Sequence, residues 1–194
     1  MATPAFTLGL VLLVILGFCG GAYRTALDVH PTAPAAGASH EQAVTDARQR
    51  LRSIYLAELG VQEASGRNDG ARVEEYLRYC GLGPGHAWCA AFVSWCFGKV
   101  GYTQPRNPWS PALFPANRTV WMKGGNARAI KQGDVFGIYY PTLSRVAHVG
   151  FVDQVDGDWL VTVEGNADNR VLRKRRHIGS LHAVADWLSD PGTR

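Results

Sequence analysis

Four prolines fall within residues 103–118, "TQPRNPWSPALFPANR". A proline lacks a backbone donor and clashes with the preceding helical turn, so neither a long helix nor a central strand can pass through this stretch. It separates two parts of the chain that read with different periods. Upstream, Val44, Leu51, Ile54, Tyr55 and Leu59 fall close to one face of a helix expected from Ser39 to about Leu59, with Ser39 and Gln42 at capping-box spacing and Gly60 beyond. A short helix is expected over residues 71–80 and another over about 88–99. In the latter, Ala90, Ala91, Phe92, Val93, Trp95, Cys96 and Phe97 are apolar nearly all round, which marks a buried central helix. From Gly133 onward, "DVFGIYY", "VAHVGFVDQV", "DWLVTVEGN" and "RVLRKRRHI" are rich in β-branched and aromatic residues and are separated by turn-forming ones. Helices first and strands afterwards predict an α+β domain, with the buried helix packed on an antiparallel sheet. The proline-rich segment between them reads as a long loop, a length often tied to function.

With 194 residues, 46% of them hydrophobic, the chain has material for one ordinary core. Residues 5–23, "AFTLGLVLLVILGFCGGAY", carry no charge and as a helix would be about long enough for a hydrocarbon core that takes roughly 20 residues. Three fates compete: a retained membrane anchor, a cleaved signal peptide, and a lipoprotein signal ending at Cys19. No Lys or Arg precedes the stretch, which disfavours a signal peptide, and bulky Phe18 disfavours lipid attachment at Cys19. The anchor is therefore preferred over residues 1–23. The Pro-, Ala- and Gly-rich residues 24–38 come next as a flexible linker, and 39–194 form the domain. A positive-inside count over Arg24, Arg48, Arg50 and Arg52 would hold the C-terminal side in the cytoplasm, against the location that the chemistry below implies.

The net charge of +4 is mild, and much of it comes from "RVLRKRRH". If that run is a strand, its cations alternate across both faces. It reads first as a solvated edge strand that discourages aggregation, and second as contact with an anionic polymer or lipid. It lacks interleaved aromatics, so nucleic-acid binding is not expected.

Cys89 stands at the first turn of the buried helix, just after the Gly- and Pro-rich "CGLGPG". Unpaired N–H groups and the helix dipole favour an anion there, which admits a thiolate, although a lone cysteine in an apolar helix is more often inert packing. Further along, His148 interrupts an apolar strand. Val146, His148 and Gly150 are expected on one face, with Ala147, Val149 and Phe151 on the other. The next strand ends in "TVEGN", where Glu164 and Asn166 are two apart and should project to the same side. Nucleophile, base and orienter are the roles that acyl transfer through a thiol requires. His86, one helical turn before Cys89, is a rival base, but it has no obvious orienting carboxylate. Cys80 and Cys96 could pair if the domain is exported, which spacing alone does not establish, and Cys80, Cys89 and Cys96 lack the short C-x-x-C pairing of a zinc site. "GRNDG" with Arg72 reads as either a plain turn or a second wall of the site, and Gly133-Asp134 as a structural turn.

"WCAAFVSW", "GDVFGIYY", "AHVGFVDQV" and "VTVEGN" resemble the successive motifs of the CHAP domain, the cysteine, histidine-dependent amidohydrolases/peptidases of the papain-like NlpC clan. The resemblance spans roughly residues 61–188. It implies a papain-like α+β fold, Cys89 as nucleophile, His148 as general base and then acid, Glu164 as the orienter of the imidazole and Asn166 as a further polar member. Trp88 would wall the substrate groove, unless it is a core aromatic. It further implies peptide or amide bonds of bacterial peptidoglycan as substrate, no metal or other cofactor, and a catalytic domain outside the cytoplasm, either anchored or secreted. A non-catalytic wall-binding module and a cysteine amidase or acyltransferase acting on a non-wall substrate are the alternatives. Neither the bond cut nor the oligomeric state is readable from the sequence.

Overall fold

The computed structural model describes residues 39–190. The expected anchor over 1–23 and linker over 24–38 lie outside the described residues. Among the described residues, no helix is long and apolar enough to cross a membrane.

Helix α1, His40–Ala57, starts at Ser39, whose hydroxyl accepts from the Gln42 backbone N–H at 3.2 Å. Only that half of the capping box forms, because the Gln42 side chain donates to Asp46. The helix ends before Leu59, which is left exposed. Its inner face carries Ala47, Leu51, Tyr55 and one charge, Arg48. The Arg48 guanidinium lies 2.8 Å from Asp134 and 2.9 Å from Asp186, pinning α1 to the turn that enters the sheet and to the chain that leaves it. Asp134 also accepts from the Lys131 N–H, as the structural turn requires. Helix α2 spans Ala71–Tyr79 and α3 spans Cys89–Lys99, with every residue from Cys89 to Phe97 buried. Trp88, the N-cap of α3, is fully buried as well.

The strands are β1 (Thr119–Met122), β2 (Val135–Tyr140), β3 (Arg145–Asp156), β4 (Trp159–Ala167), β5 (Arg170–His177) and β6 (Ala183–Ala185), in the antiparallel order β1-β6-β2-β3-β4-β5. This is the α+β architecture of helices on an antiparallel sheet that the sequence predicts. β1 and β6 are additions, too short to show a period. Val135, Val149, Phe151 and Val163 pack with the helices, and Phe136, Val152, Leu160 and Val184 form a second cluster. Each fully buried Phe or Leu side chain contributes roughly 1.5–3 kcal/mol by removal from water. α3 can approach β4 closely because Gly165 has no side chain: a Cβ there would lie 2.8 Å from atoms of both Phe92 and Trp88.

Two irregularities change which way side chains point. Between Ile138 and Tyr139 the β2–β3 register shifts, so that Ile138 faces His148, Tyr139 faces Val146, and Ala147 opposes no residue. Such a bulge re-aims the side chains beyond it. Val146 consequently packs with Val149 and Phe151 in the helix-side cluster rather than sharing the face of His148. The β4–β5 register also shifts, between Glu164 and Ala167, and Asn166 takes a left-handed backbone with φ 56°.

Candidate active site

Cys89 is the first residue of α3. Trp88 before it makes no side-chain capping bond, and the first bond of the turn runs from Phe92 N–H to Trp88 C=O at 2.8 Å. The N–H groups of the first turn therefore have no acceptor within the helix. Cys89 is 5% exposed, its thiol lies 3.6 Å from the Ser110 hydroxyl, and the neighbouring His148 side chain and Val149 backbone both favour its charged form. His148 Nε2 is 2.8 Å from Glu164 Oε2, which leaves Nδ1 as the ring nitrogen for the thiol.

Glu164 has a fully buried side chain, held on several sides. The Thr162 hydroxyl donates to Oε1 at 2.5 Å, and Arg176 grips both oxygens, Nε to Oε1 at 2.5 Å and Nη2 to Oε2 at 2.6 Å. On alternation these groups share the sheet face of Phe136 and Leu160, since Leu160 pairs with Arg176, Thr162 with Lys174 and Glu164 with Leu172. A Cβ at Gly150 would come within 3.1 Å of the Glu164 side chain and 2.7 Å of the Val163 carbonyl, so only glycine leaves β3 room for this carboxylate.

The electrostatics derive from these contacts. Burial is the largest influence on Cys89 and opposes ionisation, but the hydrogen bond and charge of His148, then Ser110 and the Val149 backbone, outweigh it and lower the thiol pKa. Burial likewise works against the imidazolium, yet Cys89 and Glu164 together raise His148 to about 9. For Glu164, burial alone would favour the acid, and Arg176, His148 and Thr162 bring it down to about 2. These contacts favour the thiolate and the imidazolium together, beside a carboxylate held in its charged form.

The thiol opens on a groove of about 260 Å³, bounded by Ser110, Trp109, Arg145, Ala147 and His86 among others. Trp109 and Ser110 come from the proline-rich loop, which Ser94 fixes through its hydroxyl to both the N–H and the carbonyl of Asn107.

The structure brings Cys89, His148 and Glu164 together and leaves two expected site residues elsewhere. Trp88 is a core residue rather than a groove wall: its indole N–H donates to Glu63 at 2.9 Å and its ring packs on Tyr76. The exposed aromatic in the groove is Trp109 instead. Asn166, turned by the β4 irregularity, donates to Asn68 Oδ1 at 3.2 Å, and the Asn68 N–H donates to Glu63. Trp88 and Asn166 therefore meet in one network behind the start of α3. His86 lines the groove but makes no hydrogen bond to Cys89 among the described residues. "GRNDG" is a turn, closed by Asp69 accepting from the Ser65 N–H and hydroxyl, and Arg72 is bound to Glu58 and Glu75. Cys80, Cys89 and Cys96 are free thiols, so the Cys80–Cys96 bridge is not formed.

Residues 81–166 match the family model of the CHAP domain. The chain carries a CHAP domain. The match encloses Cys89, His148 and Glu164, and Arg176 lies beyond its end. Similar solved structures include a mutated form of the resuscitation promoting factor interacting protein RipA (15% identity, TM-score 0.49, covering 83% of this chain and 71% of that one). The peptidoglycan hydrolase RipB from Mycobacterium tuberculosis is another (17% identity, TM-score 0.46, 74% and 65%), as is Ly7917 (14% identity, TM-score 0.44, 71% and 61%). The match spans less than two thirds of the RipB and Ly7917 chains. No curated protein is significantly similar to the chain.

Proposed function

We propose that this CHAP domain is a cysteine hydrolase of amide or peptide bonds in peptidoglycan. The observation that carries the reading is His148, bonded through Nε2 to the buried Glu164 at 2.8 Å and set so close to the Cys89 thiol that each favours the other's charged form. In this mechanism the Cys89 thiolate attacks an amide carbonyl presented in the groove. The developing oxyanion is met by the Cys89 N–H, a free donor at the helix start. Imidazolium His148 protonates the departing amine, leaving a thioester on Cys89. Neutral His148 then takes a proton from water, which attacks the thioester and frees the acid and the thiol. Glu164 holds the ring in orientation throughout and favours its charged form. The substrate class comes from the CHAP resemblance, and with it a domain placed outside the cytoplasm, residues 1–23 serving as anchor or signal and 24–38 as linker.

Purified full chain and its Cys89→Ala variant, incubated with peptidoglycan sacculi, test this by mass spectrometry of soluble fragments. Fragments released by the wild type alone are expected, and the new ends identify an N-acetylmuramoyl-L-alanine amidase or an endopeptidase. Equal release by both proteins, or none by either, overturns the hydrolase; binding of both without release would make the domain a wall-binding module.

A further inference from the structure

The groove beside Cys89 holds one permanent charge, Arg145, and no carboxylate lines it. Arg145 is the first residue of β3, three positions before His148. Its guanidinium lies 4.2 Å from the centroid of the Trp109 ring, and Nη1 donates to the Val146 carbonyl at 3.2 Å. Among the described residues it makes no ion pair, whereas Arg173, Arg175 and Arg176 each face an acid. A guanidinium has five N–H donors in a planar fork that fits a carboxylate, so most of them stay available here. Trp109, in turn, is 51% exposed although its backbone is held by the Asn107 side chain, Trp109 N–H to Oδ1 at 2.9 Å. An ordered, exposed indole carrying a stacked, unpaired cation at the mouth of a groove is arranged to receive an anion, with much of the ordering cost met before binding.

We propose that Arg145 and Trp109 form a subsite that binds a free carboxylate of the substrate peptide next to the bond being cut. The inference rests on the hydrolase reading above for the identity of the peptide. At about 260 Å³ the groove is below the roughly 300–1,000 Å³ of pockets for drug-sized ligands, which suits one or two residues of an extended chain. Amidating such a carboxylate removes the charge that the guanidinium fork binds. The subsite therefore discriminates between acidic and amidated stems.

Two synthetic muropeptides, identical except that a carboxylate next to the scissile bond is free in one and amidated in the other, provide the test. The full wild-type chain is expected to show about 10-fold higher kcat/KM on the acid, the gain typical of a charge-assisted hydrogen bond. In Arg145→Gln that preference should fall to near unity, with the thermal midpoint unchanged. In Arg145→Lys, which keeps the charge but loses the fork, it should be intermediate. Calorimetric binding of both peptides to full-length Cys89→Ala runs in parallel. If the wild type cuts neither peptide, the hydrolase reading falls and the binding preference alone judges the subsite. Equal affinity for acid and amide, or a preference that survives Arg145→Gln, overturns the subsite even if hydrolysis is robust.

Discussion

Replacing Arg176 by methionine separates the support of the candidate site from its chemistry. Glu164 is out of water, and an ionised carboxylate in that position costs several kcal/mol unless its oxygens are bonded and its charge is met. Four bonds do this, two of them from Arg176, and Arg176 is the only fixed cation among the partners. Methionine keeps an unbranched apolar stem, which preserves contact with the Phe136 ring that the guanidinium now overlies at 5.9 Å. Breaking a buried pair by removing one partner typically costs about 3–5 kcal/mol. The Arg176 side chain is 21% exposed, so water replaces part of its contribution and the lower figure, about 3 kcal/mol, applies. For a domain of this size that corresponds to a fall of about 6–12 °C in Tm. Glu164 sits near 2, below its ordinary 4.5, so its stabilising contribution is present above about 4.5 and is lost as pH falls through 2. Without Arg176 the carboxyl titrates higher. The stability gap between wild type and variant should therefore narrow on acidification from pH 6 to 3. The acid limb of kcat/KM should move upward, because protonated Glu164 no longer anchors an imidazolium. Thermal unfolding and a pH–rate profile of both proteins measure these quantities. A Tm within 2 °C of wild type together with an unmoved acid limb would refute the assignment of Arg176 as the group that keeps Glu164 ionised.

Cys89 should be alkylated by iodoacetamide well below the pH at which ordinary thiols react, while Cys80 and Cys96, whose thiols burial pushes up, stay unmodified in the folded protein. Peptide mapping after a brief exposure at pH 6 checks this, and equal labelling of Cys89 and Cys80 would contradict the thiolate. On the alkaline side, activity should fall through about pH 9 as His148 loses the proton it gives to the leaving amine. Gly165→Ala should destabilise the domain by about 1–3 kcal/mol in urea unfolding, since the new methyl meets Phe92 and Trp88 at 2.8 Å; an unchanged midpoint would show that α3 does not pack so tightly on β4. Trp88→Phe should lower stability by about 1–3 kcal/mol by stranding a Glu63 oxygen while leaving KM unaltered. Trp109→Ala should do the reverse, raising KM with Tm unaltered, and the opposite pattern would return Trp88 to the groove.

The α3 helix, the strands β2 to β5 and the shared face of His148 and Glu164 are legible in the sequence because each rests on a period that survives folding, whereas Cys89 is joined to them by the CHAP resemblance. Apolar residues all round α3 place it in the core. Alternation along β3 and β4 puts His148 and Glu164 on one face. Misplacements occur where alternation is interrupted. Val146 and Asn166 are both assigned by counting in twos, and both lie beside a register shift to which such counting is blind. Trp88 departs from expectation for a different reason: adjacency to a nucleophile along the chain says nothing about direction, and at the N-cap the indole turns back under the helix to Glu63.

Arg176 shows most clearly what pairing adds to pattern. In the sequence it is one cation in a run of them, read as an edge strand in solvent or as a surface for an anionic polymer. β5 is indeed the edge, but the register aligns Leu160 with Arg176 and Glu164 with Leu172, so Arg176 stands on the face shared with the carboxylate and within reach of it. Arg173, Lys174 and Arg175 are similarly matched to Asp153, Asp168 and Asp156. Four of the five cations of the run, Arg173 to Arg176, are answered by acids and, among the described residues, only Arg170 is not, which leaves less field for a polyanion and weakens the anionic-polymer reading of this strand. The cation with reach toward a ligand is Arg145, outside the run and beside the thiol. Net charge therefore locates neither the structural nor the binding arginine here. What separates them is whether the strand register supplies a carboxylate, which it does for Arg176 and does not for Arg145.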